Sequence, residues 1–112
     1  MTIVEFQQWV SRFYGRRGWT GYGPFIRTGF LMEEVGELVH AVRAAEIGRD
    51  RPDESPKTPE ELREELVEEL GDVLGNLVLL ADQYGLSLEE IMESHRNKLL
   101  NRFDSRSDRV GS

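Results

Sequence analysis

Two long segments with helical periodicity, residues 24–47 and 58–84, are separated by a connection of only nine residues, 49–57. The first segment is followed by Gly48 and the second by Gly85, and glycine is the residue that most often closes a helix. The connection is rich in proline, aspartate and serine, which favour a loop over a continued helix. A short connection between two long helices favours packing side by side in opposite directions. The chain is therefore predicted to be built around an antiparallel helical hairpin.

The rest of the chain predicts two shorter helices, one before the hairpin and one after it. Residues 3–14 carry apolar side chains at helical spacing and are followed by Gly15, and a final helix runs to about Phe103. Three of the four predicted helices begin with a capping box: Thr2 with Glu5, Thr58 with Glu61, and Ser87 with Glu90. The sequence predicts an all-α, antiparallel four-helix domain over residues 1–103, followed by a polar tail, 104–112.

Charge and composition exclude several classes of function. The 112 residues include 21 acidic and 14 basic ones, and the resulting net charge of −7 argues against a nucleic-acid polymer as a partner. There is no cysteine, which excludes disulfides and thiolate chemistry. The longest apolar run, 77–81, is far too short to span a membrane, and the N-terminus has no basic signal region. We therefore expect a cytoplasmic protein with no membrane partner.

Each helix of the predicted hairpin carries a pair of carboxylates three residues apart. On a helical wheel of about 100° per residue, Glu34 and Glu37 lie at one edge of the apolar stripe of the first helix. Glu69 and Asp72 occupy the same edge, in the same phase, on the second helix. Either pair alone would fit an ordinary solvated acidic face. Two pairs in matching phase on antiparallel helices predict that four carboxylates converge.

Four carboxylates at the edge of a core repel one another and lose hydration, and a divalent cation removes that cost. A site made only of oxygen ligands favours hard ions, chiefly Mg²⁺, with Mn²⁺ as a substitute. The sequence therefore predicts that Glu34, Glu37, Glu69 and Asp72 are metal ligands.

The segments that carry these pairs resemble a known signature. Residues 33–38 read EEVGEL and residues 68–74 read EELGDVL, which is similar to the EExxE…ExxD motif of MazG-like nucleotide pyrophosphohydrolases. That family belongs to the all-alpha NTP pyrophosphatase superfamily, and the resemblance covers about residues 1–103. It implies Mg²⁺-dependent hydrolysis of a nucleoside triphosphate, canonical or non-canonical, to the monophosphate and pyrophosphate. House-cleaning of the nucleotide pool is one role that the family implies.

The resemblance also implies roles for individual residues. The four carboxylates carry over as metal ligands that grip the phosphates. Glu33 either orients or activates the attacking water or is an exposed bystander. On the last helix, Lys98, Asn101 and Arg102 are similar to a basic element of the family and would contact phosphate oxygens. The alternative is that these basic residues only complement the dipole at the helix C-terminus.

The base pocket is predicted from aromatic residues in a glycine-rich loop. Trp19 and Tyr22 are better placed to stack on a base than the aromatic residues of the first helix, which are expected in the core. Asn76 lies one turn after Asp72 on the same face. Some dCTP-directed relatives have an aromatic residue there, so their specificity is not carried over to this chain.

The sequence leaves two alternatives to nucleotide hydrolysis, and it also predicts that the chain forms an oligomer. Glu37 and His40 form the Glu-x-x-His element of di-iron bundles, but His95 has Met92 three residues before it, so the second element is missing. The other rival is an acidic helical protein-interaction or regulatory module without catalysis. We also expect a homodimer or homotetramer, because apolar positions outside the main stripes need cover: Val39, Leu74 and Val78.

Overall fold

The computed structural model describes residues 1–48 and 55–103, and these form four α-helices without a strand. The helices are α1 (Ile3–Arg16), α2 (Pro24–Ile47), α3 (Pro59–Gln83) and α4 (Leu88–Phe103). The prediction of an all-α domain with four helices is confirmed. The predicted polar tail, 104–112, and most of the connection between α2 and α3 lie outside the described residues.

The helix starts form where the sequence predicts them, because capping is local chemistry. In each of the three predicted boxes the hydroxyl accepts from the backbone N–H three residues later, and the glutamate accepts in return from the cap residue's N–H. The predicted end of the first helix is wrong. Gly15 stays helical, and the reversal comes at Gly18, whose φ of 72° is in the left-handed region that favours glycine.

The antiparallel α2–α3 hairpin is the principal packing of the domain, and α1 lies against α3 while α4 packs against α1. The main core cluster joins three of these helices: Val10 of α1, Val78, Leu79 and Ala81 of α3, and Leu88 of α4. Val78 is fully buried, so the prediction that it needs cover from another chain is wrong. The reason is that α1 covers a second side of the C-terminal half of α3.

Gln7 joins α1 to the turn between α3 and α4. Its amide nitrogen donates to Asp82 Oδ1 at 2.9 Å and to the Leu86 carbonyl at 3.0 Å. Its amide oxygen accepts from the Leu88 backbone N–H at 2.9 Å, which satisfies a donor at the start of α4. The position of α4 is therefore fixed through a side chain of α1.

Each helix within the two described stretches is too short or too polar to traverse a lipid bilayer.

Candidate functional site

The α2–α3 hairpin brings three of the four predicted carboxylates together. Glu34 of α2 and Glu69 and Asp72 of α3 each offer an oxygen, and these oxygens lie within 4.8 Å of one another. Glu34 and Glu69 are half-buried, whereas Asp72 is exposed. The cluster lies between the two antiparallel helices α2 and α3. Its ligand atoms therefore come from helices rather than from loops.

The cluster is electrostatically strained. The pKa of Glu34 is raised first by burial and then by neighbouring carboxylates: Asp72, Glu69, Glu37 and Glu33. The pKa of Glu69 is also raised first by burial and then by its acidic neighbours: Asp72, Glu37, Glu68 and Glu65. Both shifts have the cause expected when like charges share a poorly hydrated space. The ionised cluster therefore destabilises the folded chain unless positive charge is brought to it.

Among the described residues, no basic side chain brings positive charge to the carboxylate cluster. Glu69 Oε2 is buried and accepts no hydrogen bond, and no lysine or arginine of residues 1–48 and 55–103 pairs with the three clustered carboxylates. A buried carboxylate oxygen without a partner is costly, and a divalent cation would satisfy it. The donor set fits a hard cation, because all of its atoms are carboxylate oxygens.

No histidine belongs to a cluster in the described residues, which leaves the di-iron interpretation without support.

The other two acidic residues of the predicted site lie around this cluster. Glu37 is exposed and does not belong to the group of three, but its charge raises the pKa of both Glu34 and Glu69. Glu33 is exposed beside Glu34. The structure thus assembles three predicted ligands, keeps Glu37 within electrostatic range, and leaves the roles of Glu37 and Glu33 as predictions.

The predicted phosphate-binding residues belong to a different helix from the carboxylates. Lys98, Asn101 and Arg102 are exposed on α4, which packs against α1, whereas the carboxylates lie between α2 and α3. The role of these three residues stays a prediction.

The aromatic residues predicted to bind a base lie half-exposed on the loop between α1 and α2. Trp19 contacts Tyr14 edge-on, with ring centroids 5.4 Å apart, and is 48% exposed. Tyr22 contacts Phe30 in the same manner at 5.3 Å and is 50% exposed. Each side chain is therefore partly packed on the protein and partly accessible, which stacking on a ligand requires.

Asn76 is buried and hydrogen-bonded within the protein, whereas a residue that binds a base is usually open to it. Its amide nitrogen donates to the Asp72 backbone carbonyl at 3.0 Å, and its oxygen accepts from Arg27 Nη1 at 3.3 Å. The side chain is buried, and these two bonds leave one amide hydrogen and one lone pair of the oxygen for any contact with a base. Its proposed contact with a base stays a prediction.

Arg27 is the residue that sequence reasoning missed. It is only 6% exposed, and it lies seven residues before Glu34, which places both on the same face of α2 about two turns apart. The signal in the sequence was a single basic residue in an otherwise apolar and small-residue start of α2. Its partner Asn76 is 49 positions away, which no local pattern reveals.

The raised pKa values predict an unusual pH dependence of the metal-free protein. For a carboxyl whose folded-state pKa lies above its unfolded value, stability is fully present below the unfolded pKa and is lost as pH rises through the folded pKa. The apo protein should therefore gain melting temperature as pH falls from 7 towards the ordinary range of glutamate, near 4.5. Saturating Mg²⁺ should flatten this dependence, because the cation compensates the ionised cluster. Thermal melts of apo protein that lose stability over that interval would contradict the electrostatic account.

The fold and the cluster together define a small helical protein with three carboxylates placed where they could hold a cation. The profile of the MazG nucleotide pyrophosphohydrolase domain matches residues 27–107, which include both the α2 and the α3 carboxylates. The chain therefore belongs to the MazG nucleotide pyrophosphohydrolase family, as the sequence motif predicts. This is a family of divalent-metal-dependent enzymes, in keeping with the acidic cluster.

The chain is also similar to two individual proteins. The chain is 58% identical over 104 residues to YvdC of Bacillus subtilis strain 168, a protein described as uncharacterized, and the match covers 93% of this chain and 98% of YvdC. It also resembles the crystal structure of YPJD from Bacillus subtilis, described there as a candidate pyrophosphatase. That similarity has a TM-score of 0.66 at 29% identity and covers 95% of this chain and 96% of YPJD.

Proposed function

We propose that this protein hydrolyses nucleoside triphosphates, canonical or non-canonical, to the monophosphate and pyrophosphate, with Mg²⁺ as the cofactor and Mn²⁺ as a substitute. The single observation that carries the proposal is the cluster of Glu34, Glu69 and Asp72 within 4.8 Å, in the segment that matches the pyrophosphohydrolase family. Removal of damaged nucleotides from the pool is the proposed use of this activity.

The proposed roles follow from where the side chains lie. Glu34, Glu69 and Asp72 hold the cation, and Glu37, whose charge raises the pKa of both Glu34 and Glu69, is the proposed fourth ligand. A bound divalent cation supplies charge neutralisation and polarisation at phosphorus. Glu33, exposed beside the cluster, is the proposed residue that orients the attacking water. Trp19 and Tyr22 offer ring faces to the base, and Asn76 is the proposed polar contact at its edge.

The test of this function is product analysis over a panel of NTPs and dNTPs, with Mg²⁺ and with Mn²⁺. Cleavage between the α and β phosphates yields pyrophosphate and the nucleoside monophosphate. The same panel identifies the preferred base and sugar. Release of orthophosphate with the nucleoside diphosphate as co-product would refute the proposed reaction.

We propose that Lys98 and Arg102 contact the triphosphate, because the site needs more positive charge than its cations supply. The clustered carboxylates consume the charge of bound cations, and the triphosphate then adds further negative charge. The two residues are four apart and so share one face of α4. The double variant Lys98→Ala/Arg102→Ala should raise KM by about tenfold if the contact forms with the ground state, or lower kcat if it strengthens in the transition state. Wild-type kinetics in steady-state assays would show that the pair only caps the helix.

We further propose that two or four copies of the chain associate through α3. Five apolar side chains of α3 repeat at helical spacing and remain between 41% and 65% exposed: Val67, Leu70, Leu74, Leu77 and Tyr84. We call this set the α3 stripe. It continues into an apolar groove of about 430 Å³ between α3 and α4. A second copy is the proposed occupant, because a single helical stripe is self-complementary about a twofold axis.

A further inference from the structure

The side chain of Arg27 connects three parts of the molecule. From α2, its Nη2 donates to the Trp19 carbonyl at 2.6 Å and its Nη1 donates to Asn76 Oδ1 of α3 at 3.3 Å. The guanidinium also lies 5.2 Å from the centroid of the Phe30 ring. One buried side chain therefore holds the loop between α1 and α2 against the C-terminal half of α3.

A second side chain does the same for the other aromatic residue of this loop. The amide nitrogen of Gln83, near the end of α3, donates to the carbonyl of Tyr22. Trp19 and Tyr22 are thus each fixed by a hydrogen bond to the backbone, while their rings stay half-exposed. We call Arg27 and Gln83 the loop latch.

The buried guanidinium of Arg27 is expected to lower the stability of the fold, so stability does not explain its presence. Among the described residues Arg27 has no carboxylate partner, and its Nε is buried without an acceptor. Burying a cation among neutral acceptors is unfavourable compared with packing an apolar side chain in the same volume. An arginine suits both partners because its two Nη atoms lie in one rigid plane and each holds one acceptor, whereas a lysine would have to reach both acceptors from a single nitrogen.

We propose that Arg27 is a positioning residue that sets nucleobase selectivity by holding Trp19 and Asn76 in fixed relation to the carboxylate cluster. The inference rests on the proposed function, and Arg27 acts through its partners rather than by touching the substrate. Asn76 connects the two sites, because its amide nitrogen is bonded to the backbone of Asp72, one turn away. A loosened loop would place the base poorly while leaving the carboxylates unchanged.

The first test measures the loop itself and does not depend on activity. The chain has two tryptophans, so Trp9→Phe leaves Trp19 as the only strong fluorophore. In that background Arg27→Met should increase acrylamide quenching of Trp19 by about twofold, because half of the ring is covered in the latched loop. Arg12→Met, which removes an exposed arginine from α1, is the matched control and should leave quenching unchanged.

The second test separates binding from chemistry. With nucleoside triphosphates, Arg27→Met should raise KM about tenfold and reduce the ratio of kcat/KM between the best and the poorest base by a similar factor, with kcat nearly unchanged. Arg27→Lys should have an intermediate effect on KM and on base selectivity, since the lysine is expected to satisfy only one of the two acceptors, the Trp19 carbonyl and Asn76 Oδ1. Gln83→Leu provides an independent variant if Arg27→Met fails to fold.

The outcomes distinguish the latch from the proposed function. Should the wild-type protein hydrolyse no nucleotide, the proposed function fails and quenching alone decides the latch. Parental quenching in both Arg27→Met and Gln83→Leu would overturn the latch. A fall in kcat with unchanged KM and unchanged base selectivity would overturn it as well, because Arg27 would then act on the carboxylates.

Discussion

Replacing Glu69 by glutamine is expected to abolish nucleotide hydrolysis without unfolding the protein. Glu69 is the member of the cluster whose buried oxygen has no hydrogen-bond partner, so its charge is the one that a cation would satisfy most directly. Loss of a metal ligand should lower kcat/KM by about a thousandfold, roughly 4 kcal/mol of transition-state stabilisation. Steady-state kinetics with saturating Mg²⁺ measure the effect.

The same substitution should raise the melting temperature of the apo protein, because it removes one of the repelling charges that raise the pKa of Glu34. Mg²⁺ should then stabilise the variant less than it stabilises the wild type. Glu64→Gln is the matched control, since it removes an exposed glutamate from the same helix. Full activity of Glu69→Gln would show that the metal site has been assigned incorrectly.

Replacing Leu70 by glutamate should convert the proposed oligomer into monomers. Leu70 is 54% exposed within the α3 stripe, and a twofold interface would bury the new charge from both copies. Burial of two unpaired carboxylates should weaken association by about a hundredfold or more. Light scattering coupled to size-exclusion chromatography at micromolar concentration measures the change.

Two controls make the oligomer prediction specific. Gln8→Glu adds the same charge at an exposed position of α1, away from the stripe, and should leave assembly unchanged. Leu70→Lys should dissociate the oligomer as Leu70→Glu does, since the cost comes from burial and not from the sign of the charge. A well-folded wild-type monomer at micromolar concentration would refute the assembly itself.

The features that the sequence predicts correctly are those that depend on neighbours along the chain. A capping box needs only residues three apart, and the convergence of Glu34 with Glu69 and Asp72 needs only helical phase and an antiparallel hairpin. The profile match supports the same two segments. Local periodicity is therefore sufficient for both the helices and the acidic cluster.

The features that it does not predict depend on tertiary packing. Val78 appears unpartnered on the helical wheel of α3 and is fully buried only because α1 lies over it. Arg27 appears as a single charge in an apolar segment, and its bonds to Trp19 and Asn76 arise from the meeting of α2, α3 and the loop. Helical phase identifies which face a residue is on, but it does not identify which element covers that face.

The bonds of Gln7 have a consequence for how the domain comes apart. A single amide of α1 supplies an acceptor at the start of α4, one donor to Asp82 at the end of α3 and one donor to Leu86 in the turn between them. Local opening of α1 would expose these groups and leave the Leu88 N–H at the start of α4 without its acceptor, so the first and last helices should open as one cooperative unit. The carboxylates lie between α2 and α3, and none of the bonds of Gln7 reaches them. We therefore expect opening that begins at Gln7 to reach the helix carrying Lys98 and Arg102 before it reaches the carboxylate cluster.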